Sequence, residues 1–465
     1  MDVLGILLSL FLLMFFAYRG FSVILFSPLF ALLAASMSGL SLMPAYTELF
    51  MAKAVTYVKS FFPIFMLGAV FGKVMEDTGL AKSISHAIIQ GLGKERAILA
   101  VVLSGAVLTY GGVSLFVVVF AVYPFATALF KEAGIPKRLI PGSVALGAFT
   151  FTMDSFPGTP QIQNLIPTNF FGTNAYAAPV SGILGGLAIF AIGMWYLEGR
   201  RKSAQAAGEG YGNHTLNEPT VSENLDLPSW QLAMLPLLTV LVVNFVMTRM
   251  FVWDVNMLQA FQAMKLPLLA PAVKNVVSIW SLIIALVCGI VLAVGLGFSR
   301  LPQGGLAKAL NAGAIGSLLA IMNTASEVGY GNVIASLPGF KAISGALLSI
   351  KVGGSPLVSE AVSVTTLAGI TGSASGGMSI ALDLMAKDWL AWANQIGMSP
   401  EILHRVASMA SGGMDTLPHN GAVITLLAVC GLTHRDSYRD IFAITVIKTV
   451  MVFAVIIFHS ITGIL

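Results

Sequence analysis

Two aspartates stand where an apolar chain can least tolerate them. Asp154 lies in TFTMDSFPGTP (residues 150–160) and Asp415 in MDTLPHNG (414–421), each followed by Ser or Thr and then by a proline within a largely apolar stretch. A carboxylate at bilayer depth costs several kcal/mol, and proline removes a backbone donor and disfavours helix in the residue before it. Both segments must therefore be broken where protein or water can satisfy them. A buried carboxylate in such a break can orient a substrate hydroxyl, bind a coupled cation such as Na+, or cap the half-helix that starts after it. Ser155, Gly158 and Thr159 in the first motif, and Thr416, His419 and Asn420 in the second, can contact a substrate. His419 can titrate near neutral pH or only hydrogen-bond. Gln161 and Asn164 are candidates to line the same cavity.

A second pair of interruptions precedes the aspartates. The apolar run 95–130 breaks at TYGGVS, and a later run breaks at GSASGGMS. Gly111 follows Glu95 by sixteen residues, and Gly376 follows Glu360 by the same number. Half-length apolar arms about a Gly/Ser tip read as re-entrant hairpins, about 95–130 and 357–386. Gly111, Gly112 and Ser114 in one tip, and Ser375, Gly376, Gly377 and Ser379 in the other, let backbone approach a ligand and supply hydroxyl donors. The broken helices then span about 139–167 and 401–432.

The composition sets the surroundings. Of the 465 residues, 57% are hydrophobic and 10% charged, with a mean hydropathy of +0.87. That is too little polar surface for a soluble chain of this length and defines an all-α polytopic membrane protein. The net charge of +4 comes from scattered Lys and Arg with no basic run, which speaks against nucleic acid. Cys288 and Cys430, in separate apolar runs, read as small hydrophobes. No His/Cys spacing for a metal and no GxxxxGK[ST] nucleotide loop is present.

The N-terminal apolar run lacks a basic leader and reads as a retained span with its N-terminus outside. Further spans are expected at 21–43 and 61–75, with 78–90 as a helix along the interface. After the first repeat come 180–197, a polar linker at 199–229, and spans at 231–250, 273–296, 310–324 and 441–465. Asp77 and Glu327 are expected to end their spans as caps at the interface. The connector with Lys131, Lys137 and Arg138 is expected in the cytoplasm, whereas its counterpart, AKDWLAWANQIGMSPE, suits the periplasm. The halves 1–198 and 230–465 thus read as inverted-topology repeats, each with five crossings and one hairpin, and both termini periplasmic. Hairpins and broken helices would form a transport domain, and the early spans of each repeat a scaffold.

Such an arrangement gathers helix ends near the midplane. N-termini suit a carboxylate, whereas C-termini and freed carbonyls suit a cation. The architecture therefore implies a small organic anion carried with Na+ or H+. At this point TYGGVSLFVVVFAVYPFA, TFTMDSFPGTPQIQN, NTASEVGYGNVIASLPGF, GSASGGMSIAL and SGGMDTLPHNGAVITLLAVCGLTHRDSYRDIF resemble the gluconate permease (GntP) family of the ion transporter superfamily. The resemblance implies a dimeric importer of small hydroxy-acids in a bacterial inner membrane, with elevator-like movement and no enzymatic activity. DTLPHNGAV is more similar to members described as D-3-hydroxybutyrate permeases than to those for gluconate. Two other classes are weighed. An intramembrane aspartyl protease would use Asp154 and Asp415, but the Gly-x-Gly-Asp signature is absent. A passive anion channel could not concentrate its substrate.

Overall fold

The computed structural model describes residues 2–19, 21–218, 226–265, 268–270, 272–301, 305–350, 352–418 and 420–465. Among these the chain is helical, with no strand. Among the described residues six helices are long and apolar enough to cross a membrane: Leu42–Asp77, Pro179–Ala206, Trp230–Met250, Val277–Arg300, Gly305–Ser336 and His434–Thr462. At ~1.5 Å per residue even the 21 residues of the shortest reach ~30 Å.

The helices pack in two groups. In the first, Ala52–Asp77 runs along Gly305–Ser336, Asp2–Tyr18 packs on Val23–Met37, and Trp230–Phe245 packs on Val277–Gly297. Gly313 lets the two long helices touch, since a Cβ there would come within 2.6 Å of the Val70 backbone. In the second group, Ala97–Tyr110 packs on Leu115–Glu132, and Leu357–Thr371 on Ala374–Gln395. Each pair turns at a glycine with positive φ, Gly112 at +95° and Gly372 at +66°, where an L side chain would be strained. Leu139–Ala148 then packs on Ala97–Tyr110, and Pro400–Ser411 on Leu357–Thr371, while Pro179–Ala206 and His434–Thr462 close the group.

Small residues set these approaches. A Cβ at Gly377 would lie 2.2 Å from the backbone nitrogen of Ala368 in the facing helix. Gly377→Ala should therefore splay that helix pair and cost about 1–3 kcal/mol. A thermal melt in detergent checks this, and an unchanged midpoint would contradict it.

Three sequence-based bounds need correction. The third span does not begin at 61, because the helix is continuous from Leu42 through a π-helical turn at Ala45–Met51. The span expected to stop at 324 runs on to Ser336, so Glu327 sits nine residues inside it, not at its end; Gly329 and Gly331 look like helix breakers, yet they permit contact with the Phe50 carbonyl and with Ile380. The helix Pro179–Ala206 also continues well into the stretch read as linker, part of which lies outside the described residues.

The segment beyond Ala206 is tied down. Arg138 donates to both carboxylate oxygens of Glu209 at 2.7 Å, and Lys137 and Lys131 lie 2.8 and 3.0 Å from Glu218. The Arg138 guanidinium holds the Glu209 carboxyl below its ordinary range. A depressed carboxylate stabilises the folded state above its unfolded pKa, ~4.3 for Glu, and that stabilisation is lost as pH falls through the lowered value. A nitroxide at Asn213 should stay immobile from pH 8 down to roughly 5 and gain mobility only below about pH 4. Mobility already high at neutral pH would contradict the docking.

Candidate functional site

Both interrupted helices open onto one cavity. The first runs from Leu139–Ala148 through Phe151–Asp154 to Ile166–Phe171, and the second from Pro400–Ser411 through Met414–Thr416 to Gly421–Val429. The cavity has a volume of about 590 Å³ and is lined by Gly112 and Ser114 of one tip, Ser373 and Ser375 of the other, Gln161, Asp415, Thr416 and Asn420 of the breaks, and Asn323, Thr324 and Glu327 of Gly305–Ser336. Small-ligand sites fall in this size range.

Each tip is pinned to a break by a side-chain amide. Gln161 Nε2 donates to the Thr109 carbonyl and Asn420 Nδ2 to the Gly372 carbonyl, both at 2.8 Å. These bonds satisfy carbonyls freed where helices end. Three helices of eight residues or more begin on the cavity wall: Leu115–Glu132 after Ser114, Ala374–Gln395 after Ser373, and Gly421–Val429 after Asn420. Asn420 Oδ1 accepts from the Ala422 and Val423 amides, and Ser373 Oγ from the Gly376 amide. Ser114 makes no such cap bond, so the first turn of its helix has no side-chain acceptor. Three N-terminal partial charges therefore face one space, which favours an anion there.

The two aspartates have different surroundings. Asp154 is fully buried, ion-paired with Lys448 of His434–Thr462, and accepts from Ser155 Oγ at 2.9 Å. Lys448 also donates to the Phe149 carbonyl at 2.9 Å. Gly412 leaves room for this pair, since a Cβ there would fall 1.8 Å from Lys448 Nζ and 2.1 Å from Asp154 Oδ2. Asp415 is on the cavity wall, 5% exposed, and its Oδ1 has no hydrogen-bond partner among the described residues. Neither carboxylate caps a helix.

Gly112, Ser114, Ser375, Asp415, Thr416, Asn420 and Gln161 thus line the cavity. Gly111 packs against Leu237, Gly158 against the Tyr176 ring, and Gly377 against Ala368. Thr159 Oγ1 donates to the Thr152 carbonyl at 2.7 Å. Gly376 lies beneath the Glu327 carboxylate, and Ser379 is buried. Asn164 braces the first break away from the cavity, donating to the Thr159 and Ala175 carbonyls and accepting from Arg405. His419 lies outside the described residues.

Three residues here escaped the sequence reading, Lys448, Arg405 and Thr324, and a fourth, Glu327, was expected as an interface cap and lies on the cavity wall instead. Arg405, fully buried, donates to the Ala177 and Asp154 carbonyls at 2.7 and 3.0 Å and so satisfies backbone that the first break frees. Its signal was a basic residue in an otherwise apolar helix face, and Lys448 gave the same signal.

A multi-pass helical protein with an interior cavity onto which interrupted helices and helix tips open is of the permease class. Its fold is similar to that of MtrF from Neisseria gonorrhoeae, with a TM-score of 0.51 at 12% identity over 87% of this chain and 82% of that one. The YdaH transporter of Alcanivorax borkumensis matches with a TM-score of 0.48 at 17% identity, over 88% of this chain and 87% of that one. The family model for GntP family permeases matches residues 1–387. The Bacillus subtilis (strain 168) transporter YxjC is 53% identical over the full length of both chains. The chain belongs to the GntP family of permeases and is a membrane transporter, not an enzyme.

Proposed function

We propose that the protein is a symporter of a small hydroxy-carboxylate, such as D-3-hydroxybutyrate or gluconate, across a bacterial inner membrane, driven by H+ or Na+. One observation carries this reading: three helix N-termini meet a cavity whose wall also holds an unpartnered carboxylate oxygen of Asp415. The N-termini suit the substrate carboxylate, and Asp415 suits its hydroxyl as an acceptor. Asp154, already neutralised by Lys448, acts within this reading as a fixed charge pair that holds the first break in shape. Na+ near either aspartate is not required by it.

The matching order of parts supports two inverted repeats, 1–198 and 230–465. Ala97–Tyr110 contacts Leu139–Ala148 as Leu357–Thr371 contacts Pro400–Ser411, and Asp2–Tyr18 contacts Val23–Met37 as Trp230–Phe245 contacts Val277–Gly297. The first packing group would be the scaffold and the second the element that moves, in an elevator-type homodimer with periplasmic termini. MtrF is described as illuminating a class of antimetabolite efflux pumps, so likeness of fold does not set the direction of transport. Proteoliposomes offered a panel of hydroxy-acids, with Na+ and pH gradients imposed separately, test the reading. Concentrative uptake of a hydroxy-carboxylate under one gradient is expected. Equilibration without accumulation under either gradient would make the protein a channel.

A further inference from the structure

Glu327 plays no part in the proposed substrate contacts, yet it is 2% exposed, with the Ser373 hydroxyl and Tyr57 beside it and Thr324 and Ser379 beside Tyr57. Gly305–Ser336 supplies Glu327 and Thr324, Ala52–Asp77 supplies Tyr57, and the first turns of Ala374–Gln395 supply Ser375 and Ser379. Tyr57 stands beside Glu327, Thr324 and Ser379, and the Thr324 and Ser375 hydroxyls are 3.3 Å apart. Thr324 Oγ1 is also 3.3 Å from the Ala320 carbonyl. The carboxylate presses so closely on the helix start that a Cβ at Gly376 would lie 1.6 Å from Oε2.

Three of these atoms, Glu327 Oε2, Tyr57 OH and Ser379 Oγ, are buried without a hydrogen-bond partner among the described residues. One such atom is a local defect, whereas three from three helices at one spot form a donor set. No basic side chain is ion-paired with Glu327 among the described residues. Lys53 pairs with Asp383 at 2.6 Å, Lys73 pairs with Glu76 and Asp77, and Asp415 lines the same cavity as Glu327. A buried carboxylate without a counter-charge demands a cation.

We propose that Glu327, Tyr57, Thr324, Ser375 and Ser379 form a monovalent-cation site, for Na+ or H+, through which the permease is coupled to its driving gradient. The proposal rests on the symport reading and assigns its ion. Hard oxygen donors suit Na+, and a single carboxylate matches a single positive charge, whereas a divalent ion would leave net charge in an apolar surround. Glu327, Thr324 and Ser375 also line the substrate cavity, so cation and anion would sit side by side. The donors come from both packing groups, so an occupied site ties the second helix pair to the long helices.

The test uses the full chain, with Glu327→Gln and, as milder changes, Ser379→Ala and Tyr57→Phe. In substrate-free thermal melts, NaCl in place of choline chloride, or acid pH in place of neutral, should raise the wild-type midpoint. Glu327→Gln should lose that shift, and Ser379→Ala should need about tenfold more cation for it. The NaCl and pH arms tell the two cations apart. In proteoliposomes Glu327→Gln should no longer accumulate hydroxy-carboxylate when the cation gradient is imposed. Wild-type cation dependence in Glu327→Gln, or in both milder variants should the first not fold, overturns the proposal. A wild-type protein that carries no hydroxy-carboxylate at all would instead overturn the symport reading, and the melts would still judge this site.

Discussion

Replacing Lys448 by methionine should lower the stability of the protein by about 3–5 kcal/mol, because it strands the Asp154 carboxylate without its partner. Lys448 is 1% exposed and Asp154 is wholly buried, so water does not replace the lost cation. The double variant Asp154→Asn/Lys448→Met removes both charges and should recover most of the loss, since a buried pair exchanged for neutral groups is close to neutral in stability. Denaturation in detergent of the wild type, both single variants and the double variant closes the cycle. Additive losses would mean that the two side chains are not coupled, and the account of the first break would fail. Gly412→Ala should resemble the single variants, since its methyl would occupy the space that the pair now fills.

The second large effect concerns Asp415. Its asparagine variant keeps the shape and loses a charged acceptor, so binding of the substrate hydroxyl should weaken by about 1.5–3 kcal/mol, roughly 10–100-fold in transport efficiency. The discriminating measurement is the ratio between a hydroxy-carboxylate and the same acid without its hydroxyl. Wild type should prefer the hydroxylated acid, and Asp415→Asn should lose that preference. Equal losses for both acids would place Asp415 outside the contacts that read the hydroxyl.

Much of the fold was legible wherever the chain breaks a rule of the bilayer. Prolines after Asp154 and Asp415, and the glycines at 111–112, mark real interruptions, since they cannot continue a helix in lipid without help; Gly376 and Gly377 do not, because both lie inside Ala374–Gln395 and the second pair turns at Gly372 instead. Segment ends were less legible. Hydropathy falls at Thr324 because Ser326, Glu327, Gly329 and Gly331 are small or polar, and that fall resembles a helix end. In the structure the same residues form a close contact between helices, where Gly329 meets the Phe50 carbonyl and Gly331 meets Ile380. Composition alone does not separate a helix end from a helix interface.

Partners were the other illegible part. The rule that singled out Asp154 applies equally to Lys448, seven residues into the run that opens at 441, but only the three-dimensional arrangement pairs them. Arg405 was hidden for a related reason. Besides the Asn164 side chain, its acceptors are the carbonyls of Asp154 and Ala177, which carry no side-chain signal in the sequence. Residues 155, 158 and 159 have motif neighbours on the cavity wall, yet they face inward to brace the break through Asp154, Tyr176 and Thr152.

The central claim is that the space between the two helix tips and the two breaks is where substrate binds. Substrate protection of cysteines tests it most directly. With Cys288 and Cys430 replaced by alanine, Ser114→Cys and Ala422→Cys each place a thiol on the cavity wall. A transported hydroxy-carboxylate at saturating concentration should slow their alkylation by a membrane-permeant maleimide, and an acid that is not transported should leave the rate unchanged. Undiminished alkylation at both positions, in protein that still transports, would contradict the claim.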